Sequence, residues 1–486
     1  MPPHLSGAAI TEIEGVEMEG RDGTQWLFER PISRREVLKR GGAAAFGLSL
    51  GGSLLAACGG GNEEEAGAPT GKPVVLWTTH TDVALQVQRQ MVKTYNATGP
   101  GSRARLTAVT GDETDIAKLT AAVRGGQGPD VYLLDRFTTA QRAEQGILAD
   151  LTDSMDADGG VDSFKDQYLD FAWAEMQFED KPYGLPMETD ARGLWYRKDM
   201  LQKAGVDPAE LDPENGPVTV DQVREIARKV DKTDASGAYT QVGFIPWYDQ
   251  GWHYTWGFTF GGDFYDEAAC KVTPTNKGVV AGFEFMRDWA QEMDPKKAQA
   301  FLSTYAQCTG PYTCPAINPA QHPFIAGKLA MVVTGNWFIE LLKQYAPTAD
   351  VGVTYIPVPK EGDESATWAG GWSVVIPEGA KNPEGAWELI KWWAGPKGQR
   401  QYAEGAKQIP TVKELVDDDS LFQGQYRFFR DLLDVAHSRP PLPVGALYWD
   451  ELTAAGEAVI LGEAQPQAAL EQVYQRVQPQ LQEFCS

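Results

Sequence analysis

The chain has 486 residues and a formal net charge of −24, with a pI near 4.7. A phosphate backbone selects basic faces, so this balance excludes nucleic acid as the expected partner. The acidic residues are spread along the chain and read as a solvated surface, and the length suits two domains of ~100–200 residues each after any leader is removed.

Residues 1–32 are polar and acidic with little periodicity, and are expected to lack a fold of their own. Ser33-Arg34-Arg35-Glu36-Val37-Leu38-Lys39, a Gly/Ala/Leu run and Leu55-Ala56-Ala57-Cys58 follow. A basic stretch ahead of a short apolar one and a small-residue cleavage site reads as a secretion signal, and the paired arginines point to the twin-arginine route. The site ending in cysteine resembles a bacterial lipobox, which makes Cys58 the expected lipidated N-terminus. The Gly41–Ala57 stretch is too short and glycine-rich for a span, which needs ~20 mostly apolar residues. Residues 1–57 are thus read as signal and prefix, and 58–72 as a flexible tether with an r.m.s. reach of ~20 Å.

The globular part begins with the buried-strand pattern Pro73-Val74-Val75-Leu76-Trp77. A helix over 85–95, a strand over 104–109, a helix over 115–123 and a strand over 129–134 come next. Helices over 220–230 and 278–292, a strand over 330–333, a helix over 337–345 and a strand over 351–356 repeat the alternation. The final third reads as helices over 383–393, 396–404, 420–434, 448–461 and 466–482. Short apolar strands alternating with amphipathic helices indicate an α/β fold with parallel sheet.

With Cys58 assigned to lipid, four cysteines remain: Cys270, Cys308, Cys314 and Cys485. In an oxidising compartment these suggest two disulfides with three possible connectivities. The turn-rich Cys308-Thr-Gly-Pro-Tyr-Thr-Cys314 loop suits local closure, leaving Cys270 with Cys485 by elimination. No zinc-like cysteine spacing or histidine pair argues for a metal.

Aromatic residues are abundant, and Trp247-Tyr248, Trp252-His253-Tyr254, Trp256, Trp368 and Trp372 lie in glycine-rich stretches. These read as loop aromatics near strand ends, where an indole face stacks on the apolar face of a sugar and nearby polar groups take its hydroxyls. The alternative for each is an ordinary core position, since Trp is highly buried on average. Asp112, Glu113, Asp135, Glu188 and Asp190 lie near expected strand ends. Two facing carboxylates serve glycoside hydrolysis, but serine-elbow, zinc-helix and phosphate-loop motifs are lacking.

Four ordered blocks resemble the extracellular solute-binding proteins of ABC importers, in the branch similar to maltose-binding protein. They are Gly128-Pro129-Asp130-Val131 with Gly146-Ile147-Leu148-Ala149-Asp150-Leu151, and Tyr183-Gly184-Leu185-Pro186 with Leu194-Trp195-Tyr196-Arg197-Lys198-Asp199. The others are Phe324-Ile325-Ala326-Gly327-Lys328-Leu329-Ala330-Met331 with Gly335-Asn336-Trp337, and Gly370-Gly371-Trp372 with Asn382-Pro383-Glu384-Gly385-Ala386-Trp387. The resemblance implies a two-lobed periplasmic-binding-protein-like fold of type II, with a ligand held between lobes joined by hinge strands. By that analogy lobe one is 73–187 with 375–415, and lobe two is 188–374 with 416–486.

The resemblance further implies site residues. Asp135 and Arg136 match a polar pair after a lobe-one strand, and Asp190 matches a hinge carboxylate with Glu188 beside it. Trp337 and Trp449 match stacking aromatics, Gly371 and Trp372 match a hinge loop, and Arg439 resembles an arginine directed at hydroxyls. His80 and Asp82 occupy a strand end where the maltose-binding pattern differs, and Trp252 and Trp256 join from the aromatic cluster. The expected partners are a carbohydrate ligand, the transmembrane subunits of an ABC permease, and the membrane through the lipid anchor. The chain itself is expected to be an extracytoplasmic monomer with no cofactor, no metal and no catalytic residue. Two alternatives stay open: the same fold binding glycerol phosphate or a polyamine, and an exported glycoside hydrolase or lyase.

Overall fold

A computed structural model describes residues 71–111 and 116–485. The signal, Cys58, and the carboxylates Asp112 and Glu113 lie outside the described residues. From Lys72 onward the chain builds two five-stranded mixed sheets flanked by helices.

The first sheet runs in the order Ala104–Ala108, Val74–Thr78, Val131–Asp135, Trp372–Val375, Gly184–Pro186. Its first three strands are parallel and the Trp372–Val375 strand returns antiparallel. Val131-Tyr-Leu-Leu-Asp135 is buried at every position, the near-continuous apolar run of a strand covered on both faces. The second sheet runs Val351–Thr354, Arg192–Arg197, Leu329–Gly335, Tyr239–Phe244, Lys232–Thr233. Its central Leu329–Gly335 strand is likewise buried throughout.

Helices begin where the sequence supplies caps. Val220–Val230 starts on a capping box, with Thr219 and Gln222 satisfying each other's exposed amides. Pro383–Ala394 starts on Asn382, whose side chain accepts from the Gly385 amide, with proline at the first turn.

Several sequence expectations are corrected. The helix expected over 420–434 is only Gln425–Asp431, followed by a 3-10 turn over Leu432–Val435. Gly424 sits at φ 56° immediately before it, and the Asp418 carboxylate accepts from the Ser420 amide and hydroxyl in a local turn. The strands Arg192–Arg197 and Tyr239–Phe244 and the helix Pro295–Ala306 were not expected. His253, Tyr254 and Trp256 are not in a loop, although Trp252 just before them is: His253–Thr259 is a helix with all its residues buried, so no polar face marks it as one. Trp372 opens a strand of the first sheet.

Two disulfides are present among the described residues, Cys270–Cys485 and Cys308–Cys314. The first ties the C-terminal end to the Tyr265–Asp266/Lys271–Val272 hairpin. The second closes a six-residue separation beside the Pro295–Ala306 helix.

Candidate functional site

Strand register brings the site together. Trp372 lies directly opposite Asp135 in the first sheet, so the end of one strand and the start of its neighbour place both at one edge. In the second sheet Gly335 lies opposite Arg192, which sets Trp337 near the arginine. The Thr367–Ala369 and Ala436–Ser438 strands pair in parallel with Ala369 opposite Ser438. Gly370 and Arg439 therefore leave this small sheet side by side. His80 follows the Val74–Thr78 strand, next to Val131–Asp135, at the carboxyl ends where open α/β sheets bind ligands.

The result is a cleft of about 530 Å³ lined from both sheets, including His80, Asp135, Asp190, Trp337, Trp372 and Arg439. Two arginine–carboxylate pairs dominate it. Arg439 donates to Asp135 at 2.7 Å, and Arg192 donates to Asp190 and, at 3.3 Å, to Gln250. All four charged groups are buried. The Arg192 guanidinium lies 3.4 Å from the Trp368 ring centre and 5.3 Å from that of Trp337, while Arg439 lies 3.8 Å from that of Phe137. Planar guanidinium stacking of this kind fixes each fork so that its donors aim in set directions. Burial raises the Asp135 carboxyl above its usual range, against the pull of Arg439 and then Arg136. Burial also lowers His80 to about 4, opposed by its hydrogen bond with Gln88, so its ring is neutral at neutral pH.

A second compartment of about 490 Å³ adjoins the first, and both are lined by Asp82, Asp249, Gln250 and Leu341. Its walls are mostly apolar and aromatic. Trp252 stacks on Tyr312 with ring centres 4.8 Å apart and an interplanar angle of 19°, and Trp449 lies 5.1 Å from Trp252. His322 pairs with Asp249 at 3.2 Å, and both are in its lining. Among the described residues no group of three or more His, Cys, Asp or Glu side chains is placed to hold a metal ion.

Residues 78–400 match the family model for bacterial extracellular solute-binding proteins. The chain belongs to this family. The solute-binding protein is 23% identical to the galactooligosaccharide-binding protein of Bacillus subtilis (strain 168) over 73% of this chain and 78% of that one. It is 24% identical to a maltooligosaccharide ABC transporter solute-binding lipoprotein of Streptococcus pneumoniae (strain ATCC BAA-255 / R6), over 76% and 79% of the two chains. The fold also matches the structure described as CpMnBP1 with mannobiose bound, with a TM-score of 0.72, 24% identity, and coverage of 84% of this chain and 99% of that one.

In this solute-binding protein His80, Asp82, Asp135, Asp190, Trp337, Gly371, Trp372 and Arg439 line the first compartment, and Trp252 and Trp449 the second. Three expected ligand contacts lie elsewhere. Trp256 is fully buried, its indole N–H donating to the Pro246 carbonyl at 2.9 Å, and packs between Phe244 and Phe285. Arg136 is a clamp: it pairs with Glu175 at 2.6 Å and donates to the Glu188 and Gly370 carbonyls, which lie on two separate crossings between the sheets. The Glu188 carboxylate accepts from the Trp372 amide at 2.8 Å; burial, and next the nearby Asp190, push it well above the usual carboxylate range. Gly371 sits at φ +131°, and a Cβ there would meet Arg136 Nη1 and the Glu188 carbonyl oxygen at 2.4 Å. The tight crossing needs a glycine.

Sequence reading missed Arg192, Gln250 and Tyr312. Arg192 did carry a signal, a lone charge ahead of the apolar Leu194-Trp195-Tyr196. Tyr312 carried another, an aromatic held between two cysteines.

Proposed function

We propose that this protein captures a sugar and delivers it to the membrane permease of an ABC importer, performing no chemistry itself. The observation that carries the reading is the pair of buried arginine–carboxylate couples facing a cleft beside Trp337 and Trp372. A sugar is uncharged, has one apolar ring face, and is ringed by hydroxyls that both donate and accept. Charge-balanced couples offer it charge-assisted donors and acceptors, and the indoles offer it a stacking plane. A phosphate ester would meet two arginines already facing carboxylates, and a polyamine two carboxylates already facing arginines. The names of the galactooligosaccharide- and maltooligosaccharide-binding relatives support the sugar class, and the latter's description as a lipoprotein supports an anchor at Cys58.

The test is titration of intrinsic Trp fluorescence and a thermal shift against a panel of mono- and oligosaccharides, with glycerol phosphate and spermidine as controls. A saturable response to a sugar, recovered intact afterwards, is expected. A response only to the controls, or recovery of a cleaved product, rejects the reading.

A further inference from the structure

We infer that the compartment walled by the Cys308–Cys314 loop is a second sugar-ring site, so that the ligand is an oligosaccharide spanning both compartments and the disulfide-closed loop sets the chain-length preference. This rests on the sugar reading above and deepens it.

Either compartment alone lies within the ~300–1,000 Å³ typical of small-ligand sites, and they share Asp82, Asp249, Gln250 and Leu341 as lining residues. Their chemistry differs. The buried charged couples line only the first, so a single ring gains its directional hydrogen bonds there. The second offers Trp252, Tyr248, Tyr312 and Pro311 as walls, with Asp82, Asp249, Gln250 and His322 as polar groups among them. That is the pattern a second, more loosely held ring requires: stacking surface with a few polar groups.

The loop is held in place rather than merely closed. Glu457 accepts from the Tyr312 amide at 3.2 Å and from the Thr313 hydroxyl at 2.9 Å. Tyr312 itself packs over Gly456, where a Cβ would come within 2.6 Å of its ring. The Tyr312 hydroxyl lies 3.1 Å from the Met286 sulfur, so both ends of the side chain are fixed. Its ring in turn sets the plane of Trp252, whose indole is only part-buried. The disulfide, the Glu457 contacts and Gly456 thus converge on one aromatic stack in the lining of the second compartment.

The experiment titrates the wild-type protein, Tyr312→Ala, Gly456→Ala and the double variant Cys308→Ser/Cys314→Ser with mannose, glucose and galactose and with their β-mannan, α-glucan and β-galactan di- and trisaccharides. One series is expected to bind, its di- or trisaccharide at least about tenfold tighter than its monosaccharide. Each variant is expected to lose about tenfold for the longer sugar while any monosaccharide affinity stays within about twofold. Circular dichroism identifies a variant that fails to fold, and Gly456→Ala, far from the charged couples in the chain, then carries the test. Equal affinity for mono- and oligosaccharides, or variants that leave the chain-length preference intact, overturns the inference and leaves the sugar reading standing. No response to any saccharide removes both.

Discussion

Asp190 holds two partners through one carboxylate oxygen, which accepts from the Gly370 amide at 2.6 Å and pairs with Arg192. It therefore fixes a hinge loop and orients the guanidinium that stacks on Trp368. Asp190→Ala is expected to abolish sugar-induced fluorescence change, because it leaves Arg192 buried without its carboxylate and frees the Gly370 amide. Asp190→Asn, which keeps an acceptor for Gly370, is expected to retain the fold and lose at least tenfold in affinity. Isothermal titration of both variants checks this. A second expectation concerns pH. Burial, and next the charge of Arg439, hold His253 down at about 3, and burial holds His80 at about 4, against an ordinary 6.5. Both rings are neutral when folded, whereas the unfolded chain takes up protons below 6.5. Stability is thus complete above 6.5 and falls as pH drops towards 4, by up to about 1.4 kcal/mol per pH unit for each ring. His253→Gln should flatten that limb in a Tm-against-pH series, and an unchanged slope would remove His253 from the account. Neither role was legible from sequence, since each depends on what packs around the ring.

At the scale of elements, the crossings between the sheets are held by backbone acceptors gathered on one side chain. Arg136 reaches the Glu188 carbonyl 52 residues away and the Gly370 carbonyl 234 residues away, while the Thr189 hydroxyl also donates to Gly370 at 3.0 Å. Arg136→Ala is expected to cost about 3–5 kcal/mol, because it strands the buried Glu175 carboxylate and the Glu188 carbonyl and leaves Gly370 with Thr189 as its donor. Adding Glu175→Gln should recover part of the loss, and denaturant unfolding of the single and double variants measures it. The elements that sequence reveals are those with long apolar runs or caps, such as Val131–Asp135 and the Thr219–Gln222 box. The crossing strands Gly184–Pro186 and Thr367–Ala369 span three residues each, too few to show a period. Register, not any local pattern, brings Trp372 opposite Asp135 and Arg192 opposite Gly335. This is why residues of the cleft lining could be expected one by one, while Arg136, also expected in the cleft, is absent from that lining.

For the whole molecule, the two disulfides divide stability from binding. Cys270–Cys485 closes a separation of 215 residues and Cys308–Cys314 one of 6. Loop-closure entropy grows with the logarithm of that length, so the long link is expected to contribute roughly 5 kcal/mol and the short one roughly 2. The long link joins the chain end to a hairpin away from the cleft, whereas the short one carries Tyr312 into the second compartment. Export by the twin-arginine route, the reading of Arg34-Arg35, requires a chain that folds before either bond forms. Cys270→Ser/Cys485→Ser is accordingly expected to fold with a cooperative transition and a Tm lower by on the order of 5–10 °C, while its affinity for the bound oligosaccharide stays within about twofold. Cys308→Ser/Cys314→Ser is expected to show the reverse, a small change in Tm and a large one in affinity. Calorimetry and titration on the two double variants separate the cases. A long-link variant that does not fold at all would mean the disulfide directs folding, which is incompatible with passage of a folded chain and would turn the reading of the leader towards export of an unfolded one.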